Sequence, residues 1–250
     1  MNTLKDKVIL VCGGATGIGA ATVGRLDQAG ASIVIGDINL VTAEHVADSC
    51  SNACAIEYDQ ADEAAINAMV QQAVERFGQL DGLFANVADL QTVLSDADIL
   101  TNPAAIWERT LAVNVTGTAM LIKACLPHLL ERGGGGIVCT SSGASRIGEP
   151  ERPAYAASKA AIDAICRHVA ARWGKQGIRC NSLAPGLVVT PMIEQGMGQE
   201  LLDRVLRAVP SPRHGEVDDI AAAVAFLLSD DGAWVNGQTW HVNGGVYFGN

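Results

Sequence analysis

The strongest constraint on this chain is a regular alternation. Short runs rich in Val, Ile and Leu at residues 7–12, 31–37, 53–59, 80–86, 136–141 and 178–184 are each followed by a longer stretch of helical periodicity. Apolar strands separated by helices are joined by crossovers, which put helices on both faces of a parallel sheet. A last short strand at 238–242 follows a helical stretch over 216–228 and completes a set of seven. No repeat, low-complexity tract or Pro/Gly-rich linker breaks the pattern, and 133–136 is only a tight helix-to-strand connection. Residues 1–250 are therefore expected to form one domain. A (β/α)8 barrel of this length is the rival, but it needs eight comparable strands.

The first turn argues against the barrel as well. Directly after the first strand comes Gly13-Gly14-Ala15-Thr16-Gly17-Ile18-Gly19, with a helix starting inside it. Glycines there let the backbone approach a pyrophosphate, whose charge meets the unpaired N–H groups of the helix N-terminus. The expected architecture is thus a single-domain α/β Rossmann fold, a doubly wound seven-stranded parallel sheet with helices on both faces. Eighteen residues past Gly19, at the end of the second strand, Asp37 can accept hydrogen bonds from ribose hydroxyls and would repel a 2'-phosphate. With Ile38 and Asn39 following it and no basic residue in the glycine turn, NAD(H) is favoured over NADP(H). Asp59, read as the end of the third strand, is placed for an adenine amino group.

A candidate reacting centre lies further on. Tyr155 and Lys159 follow Pro153 four apart, so they share a helix face about one turn apart. An ammonium beside the phenol is expected to lower the tyrosine pKa from about 10 and make it a usable acid/base. Ser142, thirteen residues before Tyr155, closes the preceding strand, where its hydroxyl can reach the same substrate oxygen.

Composition narrows the partners. Seventeen Lys and Arg against 27 Asp and Glu leave a formal charge of -10, which disfavours nucleic acid and an anionic membrane surface. No signal-peptide pattern precedes the first strand and no apolar run approaches the length of a membrane span, so a cytoplasmic location is expected. The seven cysteines include no C-x-x-C pair and are read as reduced core residues. Cys50 and Cys54 come nearest to a ligand pair but lack further partners, so no metal site is expected.

Together, residues 12–19, Val113-Asn114-Val115-Thr116-Gly117, Ser142, Tyr155-Ala156-Ala157-Ser158-Lys159, Pro185-Gly186-Leu187-Val188-Val189-Thr190, Asn236-Gly237-Gln238-Thr239 and Val242-Asn243-Gly244-Gly245 resemble the short-chain dehydrogenase/reductase family over essentially the whole chain. The resemblance implies that Tyr155 passes a proton to or from the substrate oxygen while a nicotinamide exchanges hydride with the carbon. It implies that Lys159 binds the nicotinamide ribose and tunes Tyr155, that Ser142 orients the substrate oxygen, and that Asn114 holds a water linking Lys159 to solvent. Asn86, Pro185, Gly186, Val188 and Thr190 fall on the nicotinamide side of the cofactor site, and a homotetramer is implied. Two departures stand out: Cys12 where the family usually has Thr, and Ala85-Asn86-Val87-Ala88 where it has Asn-Asn-Ala-Gly.

The variable lid of the family corresponds to residues 190–214. Met192, Ile193, Met197, Leu201, Leu202, Val205 and Leu206 suggest an apolar alcohol or ketone, while their spacing fits a helix packing its own apolar face equally well. Arg146 and Arg152, near Glu149 and Glu151, would either grip a carboxylate or belong to a solvated loop. Gly133 and Ala171 stand where acyl-carrier-protein ketoreductases carry basic residues, so a small-molecule alcohol dehydrogenase ranks above such a reductase. A catalytically silent nucleotide-binding protein is the alternative from another class.

Overall fold

The computed structural model describes Leu4 to Phe248, apart from the side chains of Met192 and Gln195. Of the segments read above, Met1 to Thr3 and the Met192 side chain lie outside the described residues.

Seven parallel strands form the sheet: β1 (Val8–Cys12), β2 (Ser32–Asp37), β3 (Ala53–Glu57), β4 (Gly82–Ala85), β5 (Gly135–Thr140), β6 (Ile178–Pro185) and β7 (Thr239–Val242). Their spatial order is β3-β2-β1-β4-β5-β6-β7. The chain winds outward from β1 in one direction and, after β3, returns to continue from β4 in the other. That reversal opens a crevice at the carboxyl ends of β1 and β4, the place where open α/β sheets bind ligands. Register aligns those ends: Cys12 sits opposite both Gly36 and Ala85, and Ala85 opposite Cys139.

Alternate residues of each strand serve different cores, because successive side chains point to opposite faces. Leu10 and Cys12 face one cluster with Met69, Leu121 and Ile162. Ile9 and Val11 face the other with Val23, Leu26 and Val224. The first cluster is covered by α3 (Glu63–Phe77), α6 (Thr118–Glu131) and α7 (Pro153–Trp173). The second lies under α1 (Gly17–Gln28), α2 (Leu40–Asp48) and α10 (Val217–Leu228). Short helices α4 (Leu90–Ser95), α5 (Ala104–Leu111), α8 (Pro191–Met197) and α9 (Gln199–Ala208) gather near the carboxyl ends of the strands.

One continuous helical run, Ala104–Glu131, is long and apolar enough by length and composition to cross a membrane, although Glu108, Arg109, Asn114 and Lys123 interrupt it and no uninterrupted apolar run reaches that length. Half of its most apolar window is buried inside the protein, and Leu121, Cys125 and Leu129 pack on the sheet. Midway, Ala112–Gly117 widens into a π-helical turn. The amide of Gln60 donates to the Val113 carbonyl at 3.0 Å and to the Thr118 hydroxyl at 3.3 Å, taking up an acceptor the helix would otherwise use.

Candidate active site

The glycine turn leaves β1 with Gly13 donating its N–H to the Gly36 carbonyl at 2.8 Å and enters α1 at Gly17. Thr16 precedes the helix without a side-chain cap, and the first turn of α1 carries no acidic residue, so its N–H groups face the crevice free for an anion. Gly19 is required by space: a Cβ there would run into the carbonyl oxygen of Gly13 and come within 2.9 Å of the Gly14 Cα. Asp37 reaches back over this turn. Its carboxylate accepts from Ala15 N–H and Asn39 N–H, each at 3.0 Å, which holds the acid beside the glycines.

Asp59 stands slightly elsewhere than expected. The third strand stops at Glu57, so Asp59 lies two residues beyond the strand end, while Tyr58 between them donates its N–H to the Asp37 carbonyl at 3.1 Å and its hydroxyl to Gln60. The Asp59 carboxylate accepts from Ala61 N–H at 2.8 Å. Ser142 likewise follows β5, which ends at Thr140, and caps the short 3-10 turn Gly143–Ser145.

The opposite wall comes from β6 and the segment after it. Pro185 ends β6, the Gly186 N–H donates to Val242, and Val188 bridges to Gly215. Thr190 caps α8, and its methyl lies 3.6 Å from where a Cβ on Gly17 would stand, so this segment closes on the glycine turn.

Asn86 ties the halves together. Its amide donates to the Gly13 carbonyl at 3.2 Å and its oxygen accepts from the Thr140 hydroxyl at 2.8 Å. The carbonyl of the same Thr140 receives the Lys159 ammonium at 2.7 Å. The departures at Cys12 and Ala85 leave this clamp intact: Cys12 is buried near Tyr58, and burial pushes its thiol up to about 12.

Tyr155, Lys159 and Ser142 converge at the carboxyl end of β5. Ser142 lies close enough to the Tyr155 phenol to favour its ionised form, and the Lys159 nitrogen lies 5.6 Å from the Tyr155 ring centre. The expected lowering of the tyrosine pKa is not what the structure holds. Burial of the phenol prevails and raises its pKa, offset in part by Ser142 and Arg152. Lys159 is buried, turned toward Thr140, and is itself pushed down to about 8 by burial, opposed by Cys139 and Asp163. Asn114 sits buried in the π-helical turn, donating to the Ser158 hydroxyl at 3.1 Å and accepting from Asp89 N–H at 3.0 Å. Ser158 in turn donates to the Tyr155 carbonyl at 2.7 Å, so Asn114 reaches the reacting centre through Ser158.

The two arginines considered as carboxylate grips are occupied. Arg152 pairs with Glu149 at 2.6 Å, and Arg146 lies 3.9 Å from buried Asp163. In the lid, Leu202 packs inward while Leu201, Val205 and Leu206 remain half-buried.

One positioning residue escaped the sequence reading. Asp96 is 4 % exposed, and its carboxylate accepts from Tyr155 N–H at 2.7 Å and Ala154 N–H at 3.4 Å. It caps the first turn of α7 from 59 residues away. The only local hint was that Arg152, the residue before Pro153, offers no capping side chain. Asp96→Ala is expected to cost about 0.5–2 kcal/mol of stability and to lower kcat with cofactor affinity kept, whereas Asp96→Asn, which retains an acceptor, recovers most of both. Thermal melts beside steady-state kinetics check this, and equal kcat in all three proteins would remove Asp96 from positioning Tyr155.

Residues 13–247 match the family model described as enoyl-(acyl carrier protein) reductase, a model of the short-chain type. The chain belongs to the short-chain dehydrogenase/reductase family. Among the relatives of this dehydrogenase/reductase is a levodione reductase of Leifsonia aquatica, 34% identical over 258 residues, covering 96% of this chain and 94% of the relative. A 2,5-dichloro-2,5-cyclohexadiene-1,4-diol dehydrogenase of Sphingobium indicum is 37% identical over 249 residues, covering 98% of each. Among solved structures, a 7α-hydroxysteroid dehydrogenase complexed with NADH and 7-oxo glycochenodeoxycholic acid superposes with a TM-score of 0.92 at 31% identity, covering 98% of this chain and 96% of the other.

Proposed function

We propose that this short-chain dehydrogenase/reductase interconverts a secondary alcohol and a ketone with NAD(H), and that Tyr155 is its general acid/base. The observation that carries the reading is a phenol with Ser142 beside it and the Lys159 amine 5.6 Å from its ring centre, at the crevice bordered by the glycine turn. The relatives named above are dehydrogenases and reductases, and one neighbour was solved with NADH.

The residues fit a dinucleotide. Gly13, Thr16, Gly17, Ile18 and Gly19 would cradle the pyrophosphate, and Asp37 and Asp59 would take the adenosine end. Asn86, Pro185, Gly186, Val188 and Thr190 would line the nicotinamide, and Lys159 would hold its ribose. When bound, the nicotinamide accepts or supplies the hydride. Tyr155 moves the proton at the substrate oxygen, Ser142 orients that oxygen, and Asn114 holds the water that connects Lys159 to solvent. The cofactor assignment rests on Asp37, whose carboxylate faces the glycine turn with no basic side chain in that turn. NADP(H) is expected to bind much more weakly than NAD(H), and Asp37→Ala to narrow the gap; titration of both cofactors by fluorescence tests it, and tighter NADP(H) binding by the wild type would overturn it. Turnover is to be sought as NADH formation over a panel of secondary alcohols, and absence of turnover with every alcohol and ketone would favour a silent nucleotide-binding protein.

Residues 1–250 act as one catalytic domain in this reading, with 190–214 as the lid over a largely apolar substrate. Half-buried Leu201, Val205 and Leu206 support apolar contacts there. All seven cysteines are free thiols, in keeping with a reducing cytoplasm. The assembly is a homotetramer in this reading, which an apolar groove on α6 and α7, lined by Ile122, Leu126, Leu130, Ile165 and Trp173, supports as a surface for self-association. Light scattering should return four chains per particle, and a single-chain mass would refute it.

A further inference from the structure

Beneath the reacting centre, strands β5 and β6 and helix α7 bring three cysteines to one point. The sulfurs of Cys139, Cys166 and Cys180 all lie within 4.8 Å of one another. The three residues are at most 1 % exposed and belong to a core cluster with Ile137, Ile162, Val169 and Ile178. The sequence reading took them as separate core filler, and they are far apart along the chain.

Three sulfurs about 2.3 Å from a centre stand roughly 4.0 Å apart when it is planar and roughly 3.4 Å apart when a lone pair makes it pyramidal, so sulfurs already within 4.8 Å of one another draw in by about 1 Å to close on a soft centre. Charge selects which centre. Three thiolates around a divalent or monovalent metal leave a net negative charge, which is costly to hold in an apolar interior. A trivalent centre leaves none.

We propose that Cys139, Cys166 and Cys180 form a buried binding site for trivalent arsenic, taken up from arsenite. Arsenous acid exchanges its three hydroxyls for three thiols: three As–O and three S–H bonds break, three As–S bonds form, and three waters leave. No electrons move, and the product is neutral. Arsenous acid is itself small and uncharged, so it enters through the local openings that protein cores undergo. Occupancy also reaches the reacting centre, since Cys139 directly precedes Thr140, whose carbonyl holds Lys159.

The site is independent of the proposed reaction and is tested without it. The full chain is incubated with sodium arsenite and weighed by native mass spectrometry. The expected result is one adduct per chain, heavier by arsenic less three protons, retained in a Cys50→Ser, Cys54→Ser variant. Cys166→Ala or Cys180→Ala, each checked for an intact circular dichroism melt, is expected to weaken arsenite binding by at least about tenfold. Arsenic-edge X-ray absorption of the wild type does not depend on any variant folding and should show three sulfur neighbours and no oxygen. A two-sulfur shell, an adduct lost with Cys50 and Cys54, or zinc displacing arsenite would each overturn the proposal.

Discussion

Tyr155→Phe is expected to reduce kcat by roughly 10²–10⁴-fold, the usual contribution of a positioned acid/base, while NADH affinity stays close to that of the wild type. The change removes one hydroxyl and keeps the ring, so the packing around α7 survives. The Ser142 hydroxyl keeps the Ala144 N–H that it caps at 3.2 Å. Single-turnover kinetics with NADH binding measured by fluorescence separates the two effects, and an unchanged kcat would take Tyr155 out of the mechanism. The surroundings also set the sign of the pH dependence. Burial raises the phenol pKa, so Tyr155 stays protonated as a donor for ketone reduction, whereas Lys159 carries its charge only below about 8. Reduction should therefore hold up to that pH and decline above it, and a rate profile flat through this region would detach Lys159 from the reaction.

Gly19→Ala should abolish measurable cofactor binding with only a moderate loss of fold. The added methyl collides with the backbone at the start of the turn, the Gly13 carbonyl and the Gly14 Cα, and neither can move aside as a flexible side chain would. Overpacking of this kind costs about 1–3 kcal/mol, and the relief available is to push the turn outward into the volume a pyrophosphate needs. NAD(H) titration by calorimetry beside a thermal melt is the check. Wild-type affinity in the variant would show that the turn does not cradle the cofactor.

Much of this architecture was legible because its strands are short, apolar on both faces and separated by helices, a pattern with few alternatives. The strand ends were less so. Tyr58 extends the apolar run and keeps a backbone bond to Asp37, which makes Asp59 resemble a terminus although the strand ends at Glu57. Features that depend on residues distant in sequence were hidden: the Asp96 cap on α7, the Gln60 amide that widens the helix at Val113, and the meeting of Cys139, Cys166 and Cys180. The direction of the Tyr155 shift was misjudged for a related reason. Spacing puts an amine near a phenol, but depth in the protein, which spacing does not report, decides how strongly each resists carrying charge.

The bonds made by Asn86 and Thr140 place the backbone that would grip a dinucleotide and the amine beside the phenol on one rigid linkage across three strands. Grip and proton delivery therefore cannot be tuned separately in this enzyme. An engineer who loosens the turn to admit a bulkier cofactor must expect the amine to drift as well, and should repair both positions in the same variant.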